Sequence, residues 1–335
     1  MKNAYIKAIS YYLPPKVVTN DDLIKEFPEW SVAKVSSRLG IDSRHVSGEG
    51  ETATDMAVKA AERLFEEWTE VSKEDVDYII FCTQSPDYVL PTSACLIQQR
   101  IGLRTHIGAF DYNLGCSGYV YGLSIAKGLI AAGIASDVLL LTSETYTKYL
   151  HQKDKSNRTI FGDAATATLV SQDGFAEIGN FSFGTDGSGG NNLIVRTGAS
   201  RFPQRRNDLS FDEKGNPQTS DYLYMNGAEI FNFTLDVIPP LLDDLFLKNG
   251  ISKSNIDLYV FHQANKYILD YVCQFNGIPA EKSYYYMKQT GNTVSSTIPI
   301  ALYEAKREKR LKGTILLAGF GVGYSWGGTL LKCIK

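Results

Sequence analysis

Short apolar runs recur along the chain and predict buried strands. The clearest runs cover residues 76–82 (VDYIIFC), 137–142 (DVLLLT), 256–262 (IDLYVFH) and 314–318 (TILLA). Longer stretches with helical spacing lie between them, at residues 95–101, 117–132 and 295–311. Near-continuous apolar strands that alternate with helices indicate an α/β fold whose sheets are covered on both faces.

The two halves of the chain resemble each other. Residues 77–82 (DYIIFC) match residues 257–262 (DLYVFH), and Gly115-Cys116 before one helix matches Gly291-Asn292 before another. Two generic strand–helix units would match only loosely, whereas these blocks keep their order and nearly constant spacing. We therefore predict a duplication, with a first half of residues 1–173 and a second half of residues 174–335.

The middle of the chain follows a different pattern. Residues 183–190 and 197–217 are rich in Gly, Asp, Arg, Asn and Pro. Such clusters are typical of turns, so we expect surface loops or hairpins inserted into the second half.

Composition narrows the class of protein. The chain has 335 residues, 44% of them hydrophobic, and a net charge of −3, which argues against a general affinity for nucleic acid or anionic membrane. No apolar stretch approaches the ~20 residues that a membrane span requires, and the N-terminus lacks the features of a signal peptide. Five cysteines without CxxC spacing indicate neither a disulfide framework nor a zinc site. These features predict a reducing, cytoplasmic location.

Cys116 is a candidate nucleophile. It lies between glycines where a strand-like run at residues 107–112 gives way to a helix. Glycines permit a tight turn, and a helix N-terminus supplies partial positive charge and free N–H groups that favour a thiolate and an oxyanion. A buried structural cysteine is the alternative, and at Cys116 alone the sequence leaves both interpretations open.

The duplication indicates a functional role for His262 and Asn292. His262 follows directly on a predicted strand, and Asn292 precedes a helix, where Asn is most often a plain cap. In the duplication, however, Asn292 is the counterpart of Cys116, and His262 is the counterpart of Cys82. Equivalent positions of two halves related by a pseudo-twofold axis face each other, so we expect Cys116, Asn292 and His262 to line one cavity.

A glycine-rich segment follows the last predicted strand, at residues 319–327 (GFGVGYSWG). It lacks the GK[ST] ending of a phosphate loop. Its glycines indicate a close approach of backbones, which can present an N–H group to a reacting carbonyl.

Six motifs together resemble the thiolase-like condensing enzymes, and specifically the β-ketoacyl-acyl carrier protein synthase III family. They are GCSGYVYGL, FGDAATATLV, YLYMNGAEIFNF, VFHQAN, TGNTVSSTIP and GFGVGYSWG, and they span nearly the whole chain in the family's order. The resemblance implies a thiolase-like duplicated fold, with two pseudo-twofold-related halves that form a layered α-β-α-β-α core.

The resemblance also implies an activity. It is the decarboxylative Claisen condensation of an acyl thioester primer with malonyl-acyl carrier protein, through an acyl-Cys116 intermediate. Cys116, His262 and Asn292 would form the catalytic triad, and the backbone N–H groups of Cys116 and Val322 would form the oxyanion hole. No metal or cofactor is implied, and the partners are acyl carrier protein, an acyl-CoA or acyl-carrier primer, and a second copy of the chain in a homodimer. Asp163 of the FGD motif is expected to be a buried hydrogen-bonding residue rather than a catalyst.

The substrate-contacting positions depart from the family pattern. Trp30 and Arg38 stand eight residues apart, whereas the family pattern has four. The family's second coenzyme A-contacting arginine falls at Lys155, with Arg158 close to it, and the basic carrier-docking position falls at Tyr267 with Lys266 beside it. These departures leave open whether the primer arrives on coenzyme A or on carrier protein.

Leu90, which precedes Pro91, occupies the position that reaches into the partner subunit's acyl pocket in the family. Its side chain is apolar, so it offers no carboxylate for the variant chemistry that uses a glutamate there.

Two alternatives remain at this stage. One is a specialised acyltransferase of the same fold that moves an acyl group from Cys116 to another nucleophile without decarboxylation. The other is a non-catalytic scaffold, although such relatives usually lose the cysteine. Release of carbon dioxide from malonyl-carrier protein separates the condensing enzyme from the acyltransferase.

Overall fold

The chain folds around a continuous nine-stranded mixed sheet with helices on both faces. A computed structural model describes residues 2–213 and 215–334. The strands are β1 Tyr5–Tyr12, β2 Lys16–Thr19, β3 Ser43–Val46, β4 Tyr78–Cys82, β5 Gly108–Tyr112, β6 Val138–Glu144, β7 Ala164–Ser171, β8 Ala176–Thr185, β9 Leu193–Ile194, β10 Ser210–Phe211, β11 Pro217–Gln218, β12 Tyr224–Met225, β13 Leu258–Phe261, β14 Thr314–Gly321 and β15 Ser325–Cys333. The α-helices are α1 Asn20–Glu26, α2 Val32–Leu39, α3 Ala53–Glu67, α4 Ser93–Arg100, α5 Gly118–Ala131, α6 Lys155–Arg158, α7 Gly227–Asn249, α8 Lys266–Phe275 and α9 Thr297–Arg307.

The strand order repeats in the two halves. In the first half the order is β1, β7, β6, β4, β5, with antiparallel pairing up to β6 and parallel pairing beyond it. In the second half β8, β15, β14 and β13 follow the same order with the same directions. A single parallel bridge between Tyr259 and Ser283 stands in place of a fifth strand. This repetition is the duplicated fold that the sequence predicts.

The two halves meet at a short seam. Only two residue pairs join β1 to β8, Tyr5 with Glu177 and Ile6 with Ala176. The chain passes from the end of β7 at Ser171 to the start of β8 at Ala176 nearby, and we propose that the halves divide between residues 173 and 174.

Three hydrophobic cores define the layers. One core packs α3 and α4 against the first-half strands, and another packs α7 and α8 against the second-half strands. The third contains α5 and α9 between strands of both halves. Neighbouring strand residues enter different cores, as Ile79 and Ile80 do in β4, because successive strand side chains point to opposite faces. The result is the α-β-α-β-α layering.

The predicted elements agree with the structure at the strands and helices that frame the site. β4, β6, β13 and β14 and the helices α4, α5 and α9 lie within a few residues of the predicted ranges. The predicted loop at residues 183–190 is partly wrong, because β8 continues to Thr185. Its last residues pair with β15 up to Ser325, so sheet hydrogen bonding extends the strand into the glycine-rich segment. The predicted insertion at residues 197–217 does form a small hairpin of β10 and β11.

Asp163 stabilises the loop before β7 through hydrogen bonds. It is fully buried and accepts hydrogen bonds from the backbone N–H and the hydroxyl of Ser47, both at 2.8 Å. It also accepts from the N–H of Thr147 at 2.9 Å and from the Thr147 hydroxyl at 2.5 Å. Four donors on one carboxylate support the expected structural role of Asp163.

Replacing Asp163 with Ala leaves those buried donors unpaired, and each unpaired buried group costs about 1–3 kcal/mol. We expect Asp163→Ala to lower the free energy of unfolding by at least about 2 kcal/mol in urea denaturation. Asp173→Ala is the matched control, since the Asp173 side chain is 75% exposed, forms an ion pair with Lys7 and accepts one hydrogen bond, from the Ser171 hydroxyl at 3.1 Å. Such pairs contribute about 0–1 kcal/mol, so equal losses in the two variants would contradict the structural role.

Candidate active site

Cys116, His262 and Asn292 line one cavity, as the duplication predicts. Cys116 lies in the turn between β5 and α5, and Asn292 lies shortly before α9, so the two middle-layer helices bring both residues to the same place. His262 directly follows β13, and its N–H donates to the carbonyl of Ala318 in β14 at 2.8 Å. All three residues are at most 7% exposed.

Glycines bring the end of β14 against the nucleophile turn. A Cβ atom added at Gly321 would lie 2.8 Å from Sγ of Cys116, and one at Gly319 would lie 2.5 Å from the Cys116 carbonyl oxygen. Both distances are shorter than real Cβ contacts, so these positions accept only glycine without a shift of the backbone. The close approach brings the backbone N–H of Val322 near Sγ, where it acts to lower the pKa of the thiol.

The thiol of Cys116 is protonated in the resting state. Burial raises its pKa to about 12, although the N–H of Val322 acts to lower it. The sequence-based expectation that the helix N-terminus favours a thiolate is therefore not met in the free protein, because loss of solvation outweighs the nearby N–H groups. Attack by sulfur then needs a base to take the proton.

His262 is neutral and holds a defined tautomer. Burial lowers its pKa to about 3. Its Nδ1 lies 2.7 Å from Oγ1 of Thr297, and that hydroxyl donates to the carbonyl oxygen of Val294 at 3.1 Å. Since a hydroxyl has only one proton, Nδ1–H is the donor to Thr297, and Nε2 keeps its lone pair.

Asn292 is oriented by its own backbone. Its Oδ1 accepts from the N–H of Val294 at 2.9 Å, so its Nδ2 points the other way and lies 3.4 Å from Nε2 of His262. Its backbone is fixed too, since its N–H donates to Ile160 at 2.8 Å and its carbonyl accepts from Gly162 at 3.0 Å. The plain capping interpretation is wrong, because Thr293 and Ser296 are the N-cap residues of the helical turns that follow, and the Asn292 amide N–H₂ remains available to a ligand.

The cavity has a deep apolar end and a more exposed mouth. Its volume is about 960 Å³. Near Cys116 the wall consists of Tyr146, Phe161, Leu193 and Leu223, all at most 7% exposed. At the mouth lie α2, the start of α8 and the β10–β11 hairpin. The wall beside Cys116 is therefore apolar.

The predicted substrate-contact residues divide into two sets. Trp30 and Arg38 line the mouth, and the Arg38 guanidinium lies 5.5 Å from the centre of the Tyr267 ring. Lys155 and Lys266 do not line the cavity, because Lys155 forms an ion pair with Glu29 and Lys266 forms one with Asp270.

Leu90 lies apart from the cavity of its own chain. Its side chain is 79% exposed, and the neighbouring Tyr88 and Val89 are 61% and 99% exposed. The loop therefore presents an apolar surface to the outside.

Sequence reasoning did not single out Glu144, which ends β6 near the nucleophile. It is fully buried and accepts from the Gln84 N–H at 3.1 Å, the Ser85 hydroxyl at 3.0 Å and the Ser295 hydroxyl at 3.2 Å. Burial raises the pKa of Glu144 to about 8, and its charge in turn raises the pKa of Cys116. A glutamate at the end of the apolar run VLLLTSE was the available signal.

Across residues 2–213 and 215–334, no three His, Cys, Asp or Glu side chains come together in a group that could hold a metal ion. Over the same ranges, every helix is too short or too polar to cross a bilayer.

Comparison with known proteins identifies the family. The family model for the C-terminal part of 3-oxoacyl-[acyl-carrier-protein] synthase III matches residues 246–333, and the companion model for that synthase matches residues 110–187. A β-ketoacyl-[acyl-carrier-protein] synthase III of Clostridium perfringens is 35% identical over 99% of this chain and 100% of its own length.

Comparison with solved structures supports the same family. A crystal structure of a 3-oxoacyl-(acyl-carrier-protein) synthase III superposes with a TM-score of 0.95 at 47% identity, covering 98% of this chain and 99% of that one. The synthase III of Pseudomonas aeruginosa superposes with a TM-score of 0.86 at 29% identity, covering 99% of both chains. The chain therefore belongs to the 3-oxoacyl-[acyl-carrier-protein] synthase III family of the thiolase-like superfamily, and it is an acyl-transferring condensing enzyme.

Proposed function

We propose that the protein condenses an acyl thioester primer with malonyl-acyl carrier protein, with loss of carbon dioxide, to give a 3-oxoacyl-acyl carrier protein. The observation that carries the proposal is the pairing of His262 and Asn292 in the cavity that Cys116 lines. The two side chains present a lone pair and an amide N–H₂ at one point, which suits a reaction that first removes a proton and then stabilises an enolate.

The first half-reaction loads the primer onto Cys116. Nε2 of His262 takes the thiol proton, and Sγ attacks the thioester carbonyl carbon. The N–H groups of Cys116 and Val322 donate to the developing oxyanion. The bond from carbon to the leaving sulfur then breaks, and the leaving thiolate receives the proton from His262.

The second half-reaction makes the carbon–carbon bond. Nδ2 of Asn292 and Nε2–H of His262 donate to the thioester oxygen of the malonyl group. Its carboxylate leaves as carbon dioxide, and the electron pair forms an enolate on the thioester. The enolate carbon attacks the carbonyl carbon of acyl-Cys116, the bond from that carbon to Sγ breaks, and the Cys116 thiolate takes up one proton from solvent, which is the proton that the decarboxylative reaction consumes.

Thr297 allows His262 to serve both steps. In the resting structure Nδ1 carries the proton, so Nε2 is an acceptor. If the Thr297 hydroxyl turns from Val294 to donate to Nδ1, the proton resides on Nε2, which becomes a donor. Thr297 is thus a positioning residue, and it lies only five residues after Asn292.

The partners follow from this chemistry. The primer arrives as a thioester of coenzyme A or of acyl carrier protein, and the presence of Trp30 and Arg38 in the lining of the cavity supports a contact between these side chains and the carrier. Lys155 and Lys266 enter this proposal only as basic groups near the mouth that are already paired with acidic side chains. The reaction uses thioester substrates and needs no metal or cofactor.

A homodimer and a cytoplasmic location are part of the proposal. The exposed apolar loop that carries Leu90 supports the dimer, since contiguous exposed apolar surface marks interaction sites. The five cysteines are all free thiols, which supports a reducing compartment.

Intact mass measurement after incubation with a panel of acyl-CoA and acyl-carrier thioesters tests the covalent step. We expect one acyl increment on the wild type and none on Cys116→Ala, because Cys116 is the proposed acyl carrier. Adding malonyl-acyl carrier protein should then release carbon dioxide and remove the increment. Removal by another nucleophile without carbon dioxide would favour the acyltransferase alternative, and an increment that survives in Cys116→Ala would contradict the nucleophile.

Gly321→Ala tests the close approach of β14 to the nucleophile. The new Cβ would lie 2.8 Å from Sγ and 2.9 Å from Cβ of Cys116, so we expect acylation to fall at least about tenfold, as misplacement of reacting groups does. Gly128→Ala in α5 is the control, because its Cβ meets nothing within 4 Å. It should keep normal acylation and gain up to about 1 kcal/mol of stability. Full acylation by Gly321→Ala would contradict the geometry.

Thr297→Val separates the two roles of His262. Without the hydroxyl, no group is left to donate to Nδ1, so the Nε2–H tautomer that decarboxylation needs loses its supporting hydrogen bond, and decarboxylation of malonyl-acyl carrier protein should fall about 10- to 100-fold, as loss of one oxyanion donor does. Single-turnover acylation should change by less than about threefold, since Nε2 still accepts. Thr297→Ser should restore decarboxylation. Equal losses in both steps, or none, would argue against the tautomer exchange.

A further inference from the structure

The deep end of the cavity contains a hydroxyl group that the proposed mechanism does not use. Tyr146 is 4% exposed, lines the cavity and packs in the same cluster as Cys116. Its hydroxyl forms no hydrogen bond with any residue that the structure describes, and it is not among the fully enclosed unpaired polar atoms. A buried tyrosine whose hydroxyl is neither bonded nor enclosed presents that hydroxyl to the cavity.

The ring of Tyr146 is held in place by its neighbours. Its centroid lies 5.0 Å from that of Phe161 and 5.8 Å from that of Tyr149, with the second pair edge-on at 84°. Tyr149 offers an internal comparison, because its own hydroxyl donates to the carbonyl oxygen of Gln84 at 2.7 Å. The Tyr149 hydroxyl is thus bonded to the backbone, whereas the Tyr146 hydroxyl remains available to a ligand.

Apolar side chains pack around Tyr146, so leaving its hydroxyl without a hydrogen bond would cost binding free energy once a substrate displaces water from the cavity. Leu193, Leu223 and Phe161 pack in the same cluster as Tyr146, and no residue that the structure describes hydrogen-bonds the Tyr146 hydroxyl. Burial, and then the neighbouring Cys116 and Glu144, hold the pKa of Tyr146 well above its usual value, so the group keeps its proton and is a donor. An unsubstituted alkyl chain would displace water from this hydroxyl without offering it a hydrogen-bond acceptor, so the hydroxyl would be left unpaired.

We propose that the Tyr146 hydroxyl donates a hydrogen bond to an oxygen on the acyl group bound to Cys116, and that the preferred primer is a short acyl thioester with a hydroxyl or oxo substituent within its first few carbons. The inference rests on the proposed function, in which the acyl group occupies the deep end of the cavity. Sites built to hydrogen-bond a substrate discriminate strongly against analogues that lack the bonding group. Tyr146 is therefore a specificity residue and takes no part in bond making.

The test compares single-turnover acylation of Cys116 by butanoyl, 2-hydroxybutanoyl, 3-hydroxybutanoyl and 3-oxobutanoyl thioesters, each on coenzyme A and on acyl carrier protein. In the wild type we expect at least one oxygenated donor to react about tenfold faster than butanoyl, or more. Tyr146→Phe should abolish that preference and should react with butanoyl faster than the wild type, because no hydroxyl is left unpaired. Tyr149→Phe is the matched control and should keep the wild-type preference, since its hydroxyl bonds the backbone.

The outcomes separate this inference from the proposed function. If the wild type reacts with butanoyl as fast as with every oxygenated donor, or if Tyr146→Phe keeps the preference, the role of Tyr146 is overturned while acylation of Cys116 stands. If no donor acylates the wild type, the proposed function fails and this inference fails with it. Circular dichroism melting of both variants shows that the comparison is made on folded protein.

Discussion

The packing of α5 and α9 between the strands of the two halves is the constraint on which the site depends. Both helices are buried in the middle core, and each begins next to a residue of the proposed triad, Cys116 for α5 and Asn292 for α9. Because the helices fill the central layer, their first turns cannot move apart without opening a core built from both halves. The position of the nucleophile relative to the amide is thus set by apolar packing far from any reacting atom.

Burial then determines the electrostatic state of the site. It raises the pKa of Cys116 to about 12 and of Glu144 to about 8, and it lowers the pKa of His262 to about 3. At neutral pH the free site is therefore nearly uncharged, and charge develops only as a substrate reacts. Fixed dipoles are already aimed at those charges, namely the N–H of Val322 and the amide of Asn292. Such preorganisation is the usual source of large electrostatic stabilisation in enzymes.

The framework and the triad could be predicted from the sequence because both leave strong local signals. The apolar runs reveal β4, β6, β13 and β14, and the duplication relates Asn292 to Cys116 without any structure. The pairing of β1 with β8 could not be predicted, because it joins residues about 170 positions apart. The protonated state of Cys116 was also beyond the sequence, since it depends on how much solvent the folded chain excludes. Thr297, Glu144 and Tyr146 were missed for a related reason, because their chemistry arises from partners that are distant in the chain or absent.

The hairpin of β10 and β11 lets the entrance of the cavity vary independently of the rest of the fold. Asn216, Pro217 and Gln218 line the cavity from an insertion outside the repeated strands, and α2 contributes Leu39 to the same lining. The residues proposed to react thus lie on the duplicated framework, whereas the residues at the entrance of the cavity lie on segments added to that framework. Mutations can accumulate in those segments without disturbing the cores, so a lineage of such enzymes can change what it accepts while the bond-forming step stays the same.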